Sequence, residues 1–365
     1  MKNDRFVFLF LTFQQSKLIF HSFGTSIDSM TIQNELTRML NIRFPLIMAP
    51  MFLISNEVML KEAMEAGIMA CFPSLNYRDV NDLDAILKSM NRQLEQQKGK
   101  PGTYAVNLIV QKTNPLFEKH LDVCVRNKVP VYITSLGNPR PTIDAAHSYG
   151  AKVFCDVTNL THAKKSADNG CDGFIAVGQG AGGHAGPFPL MLLVEALRKN
   201  FPGKPILGAG GIANGQAILS VLGAGASAAY VGTRFIASNE ATVLADYKKA
   251  ILDSRMDDIV MTERISGTPC TIINTEYAKK IGTKQSWFEK KLSKNPRTKK
   301  YFKMLVAVRG MKWLEDAVKP GTHHTLWCAG QSVEMIEDIK PVKQIIADMI
   351  SEFEAAYSEL KNTIT

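Results

Sequence analysis

Asp172-Gly-Phe-Ile-Ala-Val-Gly-Gln-Gly-Ala-Gly-Gly-His184-Ala-Gly186 is the stretch on which the reading of this chain turns. An apolar run of strand length passes directly into a glycine-rich loop that carries one histidine. A strand that is apolar throughout, rather than alternating, belongs to a parallel sheet covered on both faces. Glycine clusters ordinarily serve tight turns, and a lone histidine is ordinarily a satisfied surface or core residue. At the end of a buried strand the same residues also let a bare backbone approach a flat ligand while one titratable ring points at it. The segment by itself leaves both readings open.

Working outward, seven further apolar runs of strand length are found: Leu46–Pro50, Ile68–Phe72, Tyr104–Ile109, Val129–Thr134, Lys152–Val157, Pro205–Ala209 and Ala228–Val231. Helical periodicity fills the intervals at Asn56–Gly67, Asp79–Gln97, Pro115–Lys128, Pro139–Gly150, Asn159–Gly170, Pro189–Asn200 and Gly215–Gly223. Ser55 is expected to cap the first of these and Gly67 to end it. Eight βα units in about two hundred residues favour a closed (β/α)8 TIM barrel, an α/β fold, over an open doubly wound sheet. Gly178-Gln-Gly180-Ala-Gly-Gly183 fits the dinucleotide fingerprint, but it stands after five other βα units, where that fingerprint does not belong.

Composition agrees with one large globular domain: 365 residues, 45% hydrophobic and 21% charged. The reading divides the chain into a dispensable N-terminal extension (1–29), the barrel (30–238), a helical or mixed insertion (239–327) and a C-terminal segment returning to the barrel (328–365). The apolar run near Met1 is too short to span a membrane and lacks a small-residue cleavage pattern. Six cysteines without metal-ligand spacing point to a reducing cytoplasm. The net charge of +9 is concentrated between Lys279 and Lys303, where ten Lys and Arg face Glu289 alone. Such a run is ordinarily a solvated face, so nucleic acid is not the expected partner. The adjacent His323 and His324 have no partner at ligand spacing, and no metal site is expected.

In such barrels chemistry collects at the C-terminal strand ends, with phosphate loops after strands seven and eight. Gly208-Ala-Gly210-Gly211-Ile212 and Gly232-Thr233-Arg234-Phe235 stand there and offer unhindered backbone near helix starts. Met48-Ala49-Pro50-Met51 ends strand one, and Asn107 lies near the end of strand three. Met51 as plain core filler is an equal reading by composition. His184 is the acid or base best suited to proton transfer near neutrality.

Together these pieces, with Ala181-Gly-Gly-His184-Ala-Gly186 the most specific and Ala329-Gly330-Gln331 late in the chain, are similar to the nitronate monooxygenase family, formerly 2-nitropropane dioxygenases. The resemblance runs from about Asn41 to Ile339. It implies an FMN-dependent barrel that oxidises nitronates, propionate 3-nitronate among them, with O2. By that resemblance Ala49, Pro50, Met51 and Asn107 line the flavin, with Lys152 or Asp156 and Gln179 near its polar edge. Gly182, Gly183, Gly210, Gly211, Gly232 and Thr233 hold the phosphate end, Gly330 and Gln331 close the site, and His184 faces substrate as base or anion stabiliser. Arg264, Ser266, Gly267, Thr268, Pro269 and Trp287 of the insertion are further candidates to meet substrate. The Gly-Gly-His and Gly-Gln pieces also resemble FMN-dependent enoyl-acyl-carrier-protein reductases, and an NAD(P)H:quinone reductase is a third reading on the same scaffold. A homodimer is the candidate assembly, and a non-catalytic binder of phosphate ligands is the contrasting class.

Overall fold

The computed structural model describes residues 31–97, 101–265, 269–284, 306, 310, 312–313, 315–316 and 326–364. The N-terminal extension, most of the lysine-rich run, Ser266, Gly267, Thr268, Trp287, His323 and His324 lie outside the described residues.

All eight expected strands form, and they close a parallel barrel in the order β1-β2-β3-β4-β5-β6-β8-β9. These are β1 (Leu46–Met48), β2 (Met69–Pro73), β3 (Thr103–Ile109), β4 (Val131–Ser135), β5 (Lys152–Val157), β6 (Gly173–Val177), β8 (Ile206–Ala209) and β9 (Ala228–Val231), and β9 returns to pair with β1. β7, the two-residue strand Gly183–His184, stands outside the barrel.

Side chains alternate along each strand. One set, including Ile47, Met69, Ala105, Ile133, Phe154, Ile175 and Leu207, forms a single buried cluster inside the barrel. The other, including Met48, Phe72, Val106, Tyr132, Val153, Phe174 and Val231, packs outward beneath the helices. Both faces are therefore apolar, which is why the strands read as unbroken runs. Leu36 and Leu40 of the helix Glu35–Leu40 join the interior cluster and close its N-terminal end. That helix is placed by Asn34, which accepts from the Thr37 amide at 2.9 Å and donates to the Ser227 carbonyl at 2.8 Å.

The intervening helices form where expected, with one correction. The helix Glu57–Glu65 is capped by Asn56, whose side chain accepts from the Met59 amide, and not by Ser55. Ser55 is committed elsewhere: its hydroxyl accepts from the Met51 amide at 2.9 Å and helps to hold the loop after β1. Gly67 does follow the helix in a left-handed conformation (φ 86°), as a glycine terminator should.

The long helix Val342–Ile364 buries Val342, Ile345, Ile346, Met349, Ile350 and Phe353 at helical spacing. It packs against the helices Gly215–Gly223 and Glu57–Glu65, and Phe353 meets Phe44 edge-on at 5.4 Å. Glu352 accepts the Gly215 amide at 2.8 Å, so the first amide of that helix is satisfied by the chain's own carboxylate.

The insertion adds β10 (Ile259–Thr262) and β11 (Cys270–Ile273), which form a three-stranded antiparallel sheet with β7. The glycine loop after β6 is thus shared between barrel and insertion. No described helix is long and apolar enough to cross a membrane.

A Cβ on Gly215 would stand 2.0 Å from the Phe353 amide nitrogen, closer than packed atoms approach. Gly215→Ala is therefore expected to push the C-terminal helix off the barrel and to destabilise the protein by about 2–4 kcal/mol. Urea unfolding followed by far-UV circular dichroism measures that loss.

Candidate active site

The loop after β6 lies against two other glycine segments. The Gly211 amide donates to the Gly180 carbonyl at 3.2 Å, and the Gly178 amide donates to the Ala209 carbonyl at 2.9 Å. A Cβ on Gly210 would come within 2.8 Å of the Ala181 nitrogen, and one on Gly182 within 2.8 Å of the Gly330 nitrogen. Thr233 joins the last pair, its hydroxyl accepting the Gly330 amide at 3.1 Å. Gly182, Gly210 and Thr233, expected at the cofactor, and Gly330, expected to close the site, are thereby brought together in space. Gln331 follows as the first residue of a short 3-10 helix and is exposed.

Beside this contact the backbone is open. A Cβ at Gly183 (φ 73°) or Gly211 (φ 76°) would meet nothing within 4 Å, and one at Gly232 would touch only Ala49 Cβ at 3.7 Å and Met51 Cγ at 4.0 Å. Positive φ requires glycine at the first two. Bare backbone therefore borders open space at the ends of β6, β8 and β9, next to the Ala49–Met51 loop. This cradle fits a flat, phosphate-bearing group. The expected position after β8 needs one correction. The start of the helix Gly215–Gly223 is taken by Glu352, so any anion must be met by the loop before it rather than by that helix end.

The loop after β1 is held from outside by Asn76, which the sequence reading passed over. Its amide group donates to the Ser55 carbonyl at 2.9 Å, and its carbonyl oxygen accepts the Leu53 amide at 2.8 Å. Leu53 is in turn held in a left-handed conformation (φ 57°), a strain that persists only where neighbours over-determine it. Met51 is buried and packs with the outer core cluster, as its core reading expects.

Inside the barrel mouth, β3, β4 and β5 each present one inward polar group. Asn107 Nδ2 donates to Ser135 Oγ at 2.8 Å, and Ser135 Oγ donates to Asp156 Oδ2 at 2.5 Å. Ser135 was missed, although counting in twos along β4 from the interior residues Val131 and Ile133 reaches it. Burial pushes the Asp156 carboxyl up to about 6, partly offset by the Ser135 hydrogen bond. Asp156 also acts on Tyr230 and Cys71, two interior side chains whose ionisation burial already opposes.

Lys152, the alternative to Asp156, is not part of this group. It opens β5, about 13 Å from Asp156 at strand rise, and pairs with Asp172 at 3.4 Å. Asp172 also accepts the Val153 amide and contacts His147, both at 2.8 Å. Lys152 belongs to a charged cluster at the N-terminal end of the barrel, opposite the mouth.

His184 sits in β7, directly opposite Cys270 of β11, while Gly183 faces Thr271. Thr271 Oγ1 donates to the Ala181 carbonyl at 2.5 Å and pins the strand from below. Water reaches the imidazole, yet protein surrounds it closely enough to lower its pKa below the ordinary 6.5 by desolvation. The ring is therefore neutral near pH 7, with one nitrogen able to donate and the other to accept. Gln179 is exposed on the same loop, its amide bonded to the Phe188 carbonyl at 2.8 Å. Pro50 is half-buried beside Ala49. Among the described residues no His, Cys, Asp or Glu cluster could hold a metal ion.

The TIM barrel and its bare glycine cradle accord with a flavin-dependent oxidoreductase, the class to which the family match assigns the chain. Within that class the chain belongs to the nitronate monooxygenase family, whose model matches residues 74–352. It is 25% identical to a putative monooxygenase of Mycobacterium tuberculosis over 68% of this chain and 65% of that one, so the match spans just under two thirds of that relative. It is 24% identical, over 88% of this chain and 96% of the relative, to the (3aS,4S,5R,7aS)-5-hydroxy-7a-methyl-1-oxo-octahydro-1H-indene-4-carboxyl-CoA dehydrogenase of Rhodococcus jostii. Among solved structures, FabK from Thermotoga maritima superposes with a TM-score of 0.77 at 28% identity, covering 91% of this chain and all of that one.

The Asp156 carboxyl is protonated more readily in the folded protein than in the unfolded chain. The folded state therefore binds more protons between pH 4 and 6, and stability should fall as pH rises through that window and level off above it. In Asp156→Asn this fall, on the order of 3 kcal/mol, should be absent. Parallel urea titrations of the two proteins from pH 4 to 7 measure the difference.

Proposed function

We propose that this protein is an FMN-dependent nitronate monooxygenase that oxidises alkyl nitronates, such as propionate 3-nitronate, with O2. The observation that carries the proposal is the neutral His184 on the glycine loop, beside open backbone at three strand ends, in a chain that belongs to this family. The flavin, when bound, takes electrons from the nitronate and passes them to O2.

The protein's own groups would bind, orient and move a proton. Gly183, Gly210, Gly211, Gly232 and Thr233 would hold the phosphate end, with Gly182 and Gly330 backing them and Gln179 and Gln331 at the rim. Ala49, Pro50 and Met51 would give the ring system an apolar edge. Asn107 and Asp156, joined through Ser135, would present polar groups to its pyrimidine side. The carboxyl is the element that changes charge near pH 6. Neutral His184 would donate an N–H to an arriving nitronate oxygen. Where the substrate arrives as a neutral nitroalkane, the imidazole would first take the α-proton as general base. Five buried cysteines and a half-buried sixth, all free thiols, suit a reducing cytoplasm as the place of work.

A second reading has a specific observation behind it. A relative named for dehydrogenation of a carboxyl-CoA compound, matched over 88% of this chain, favours hydride transfer to or from an acyl thioester. The two readings differ in what reduces the flavin. Anaerobic stopped-flow mixing with propionate 3-nitronate should bleach the flavin within the dead time or shortly after, while NADH and NADPH should act far more slowly. Fast bleaching by a nicotinamide, with nitronate inert, would establish the thioester reading instead. Release of the flavin by heat, followed by chromatography against FMN and FAD standards, should give FMN.

His184→Ala should retain flavin and fold while losing about a hundredfold or more in turnover of neutral nitroalkanes, the usual scale for removing a general base. Its loss on preformed nitronate should be smaller. Equal turnover of nitroalkane by variant and parent would remove His184 from the proton transfer.

A further inference from the structure

Cys270 and Cys328 are 58 positions apart in sequence, yet their sulfurs lie 4.0 Å apart. Cys270 is buried at the start of β11, across from His184. Cys328 is half-buried and stands two residues before Gly330, where the chain reaches the glycine loop. Several contacts hold the pair in place. Ile272 and Cys328 form an antiparallel bridge, the Ile273 amide donates to the Trp327 carbonyl at 2.9 Å, and the Tyr247 hydroxyl donates to the Cys328 carbonyl at 2.6 Å. Trp327 stacks on Tyr247 with ring centres 5.4 Å apart. The remaining cysteines, Cys71, Cys124, Cys155 and Cys171, are all buried.

We propose that Cys270 and Cys328 form an oxidation site for hydroperoxides, becoming a disulfide that staples the β10–β11 hairpin to the Ala329–Gly330 segment beside the active site. A disulfide needs its sulfurs at about 2.0 Å, so closure asks the two side chains to approach by about 2 Å. The bridge pairs Cys328 with Ile272, two residues along β11 from Cys270, so the two sulfurs meet on the diagonal of that pairing. The order of events follows from access. The Cys328 thiol, half-buried where Cys270 is fully buried, gives up its proton and attacks one peroxide oxygen; a sulfur–oxygen bond forms, the oxygen–oxygen bond breaks, and the departing hydroxide takes that proton and leaves as water. The Cys270 sulfur then displaces the hydroxyl from the Cys328 sulfur, its proton leaving with the second water. Two thiols lose two electrons in all, and hydrogen peroxide gains them. The hydrogen bond to Cys328 and burial keep the Cys270 thiol protonated until that second step, which leaves the first attack to Cys328.

Full-length protein treated with hydrogen peroxide, quenched with excess alkylating reagent and digested without reductant tests the site directly. The expected result is a loss of about 2 Da in intact mass before alkylation, a linked peptide joining Cys270 to Cys328 in the digest, reversal by dithiothreitol, and no link in Cys328→Ser or Cys270→Ser. Hydrogen exchange at residues 181–185 should slow in the linked form and recover on reduction, because the staple ties down β11, to which that strand is paired. Oxidation of Cys328 to a sulfinic acid without any link, or a link confined to Cys155 and Cys171, would overturn the site. A Cys270–Cys328 link that leaves exchange at 181–185 unchanged would overturn the staple. Neither outcome depends on which substrate the flavin site takes.

Discussion

The close approach of three glycine segments is the constraint on which the rest of the site depends. Gly180 and Gly182, Gly210 and Gly211, and Gly330 come from different parts of the chain and touch backbone to backbone. A Cβ on Gly330 alone would stand 2.5 Å from the Gly180 carbonyl oxygen and 2.8 Å from the Gly182 nitrogen. No side chain fits there, so the C-terminal segment can reach the barrel only at a point where both partners lack one. The contact fixes the loop that carries His184, and it brings the end of the insertion back to the barrel mouth.

Two further ties reinforce that return. Arg234, buried just past β9, donates to Asp338 through both the carboxylate, at 2.5 Å, and the backbone carbonyl, at 2.9 Å. Cutting one partner of such a pair leaves a buried charge uncompensated, so its value lies in specifying where residues 336–340 sit rather than in raw stability. Glu240 accepts the Val342 amide at 3.0 Å, which sets the start of the long C-terminal helix. By contrast, the exposed pairs of Lys343 with Glu62 and Glu65 contribute little beyond solubility.

Much of this was legible in the chain. The strands could be read because both faces of a parallel barrel are buried, which leaves unbroken apolar runs, and the helices because each carries one apolar stripe. The glycine loops and His184 could be read because their residue types are costly or unusual anywhere else. Asn76 could not, since an asparagine in a short 3-10 turn is ordinary until its partners are known, and Ser135 was open only to a count of the inward positions along β4. Lys152 and Asp156 share inward parity on one strand, but Lys152 opens that strand, so its direction alone puts the lysine at the end away from the mouth. Ser55 and Asn56 are both good caps, and what separates them is that the loop after β1 needs the serine.

The eight βα units, the position of His184 at the end of the sixth, and the family resemblance of those pieces could be read from residue order alone, because periodicity and residue type are local properties. Only the tertiary structure decided that β11 of the insertion pairs with the His184 strand, that Glu352 occupies the helix start after β8, and that Cys270 meets Cys328. Each joins residues scores of positions apart, and such contacts are selected by the closed geometry of the barrel and by the space its glycines leave open.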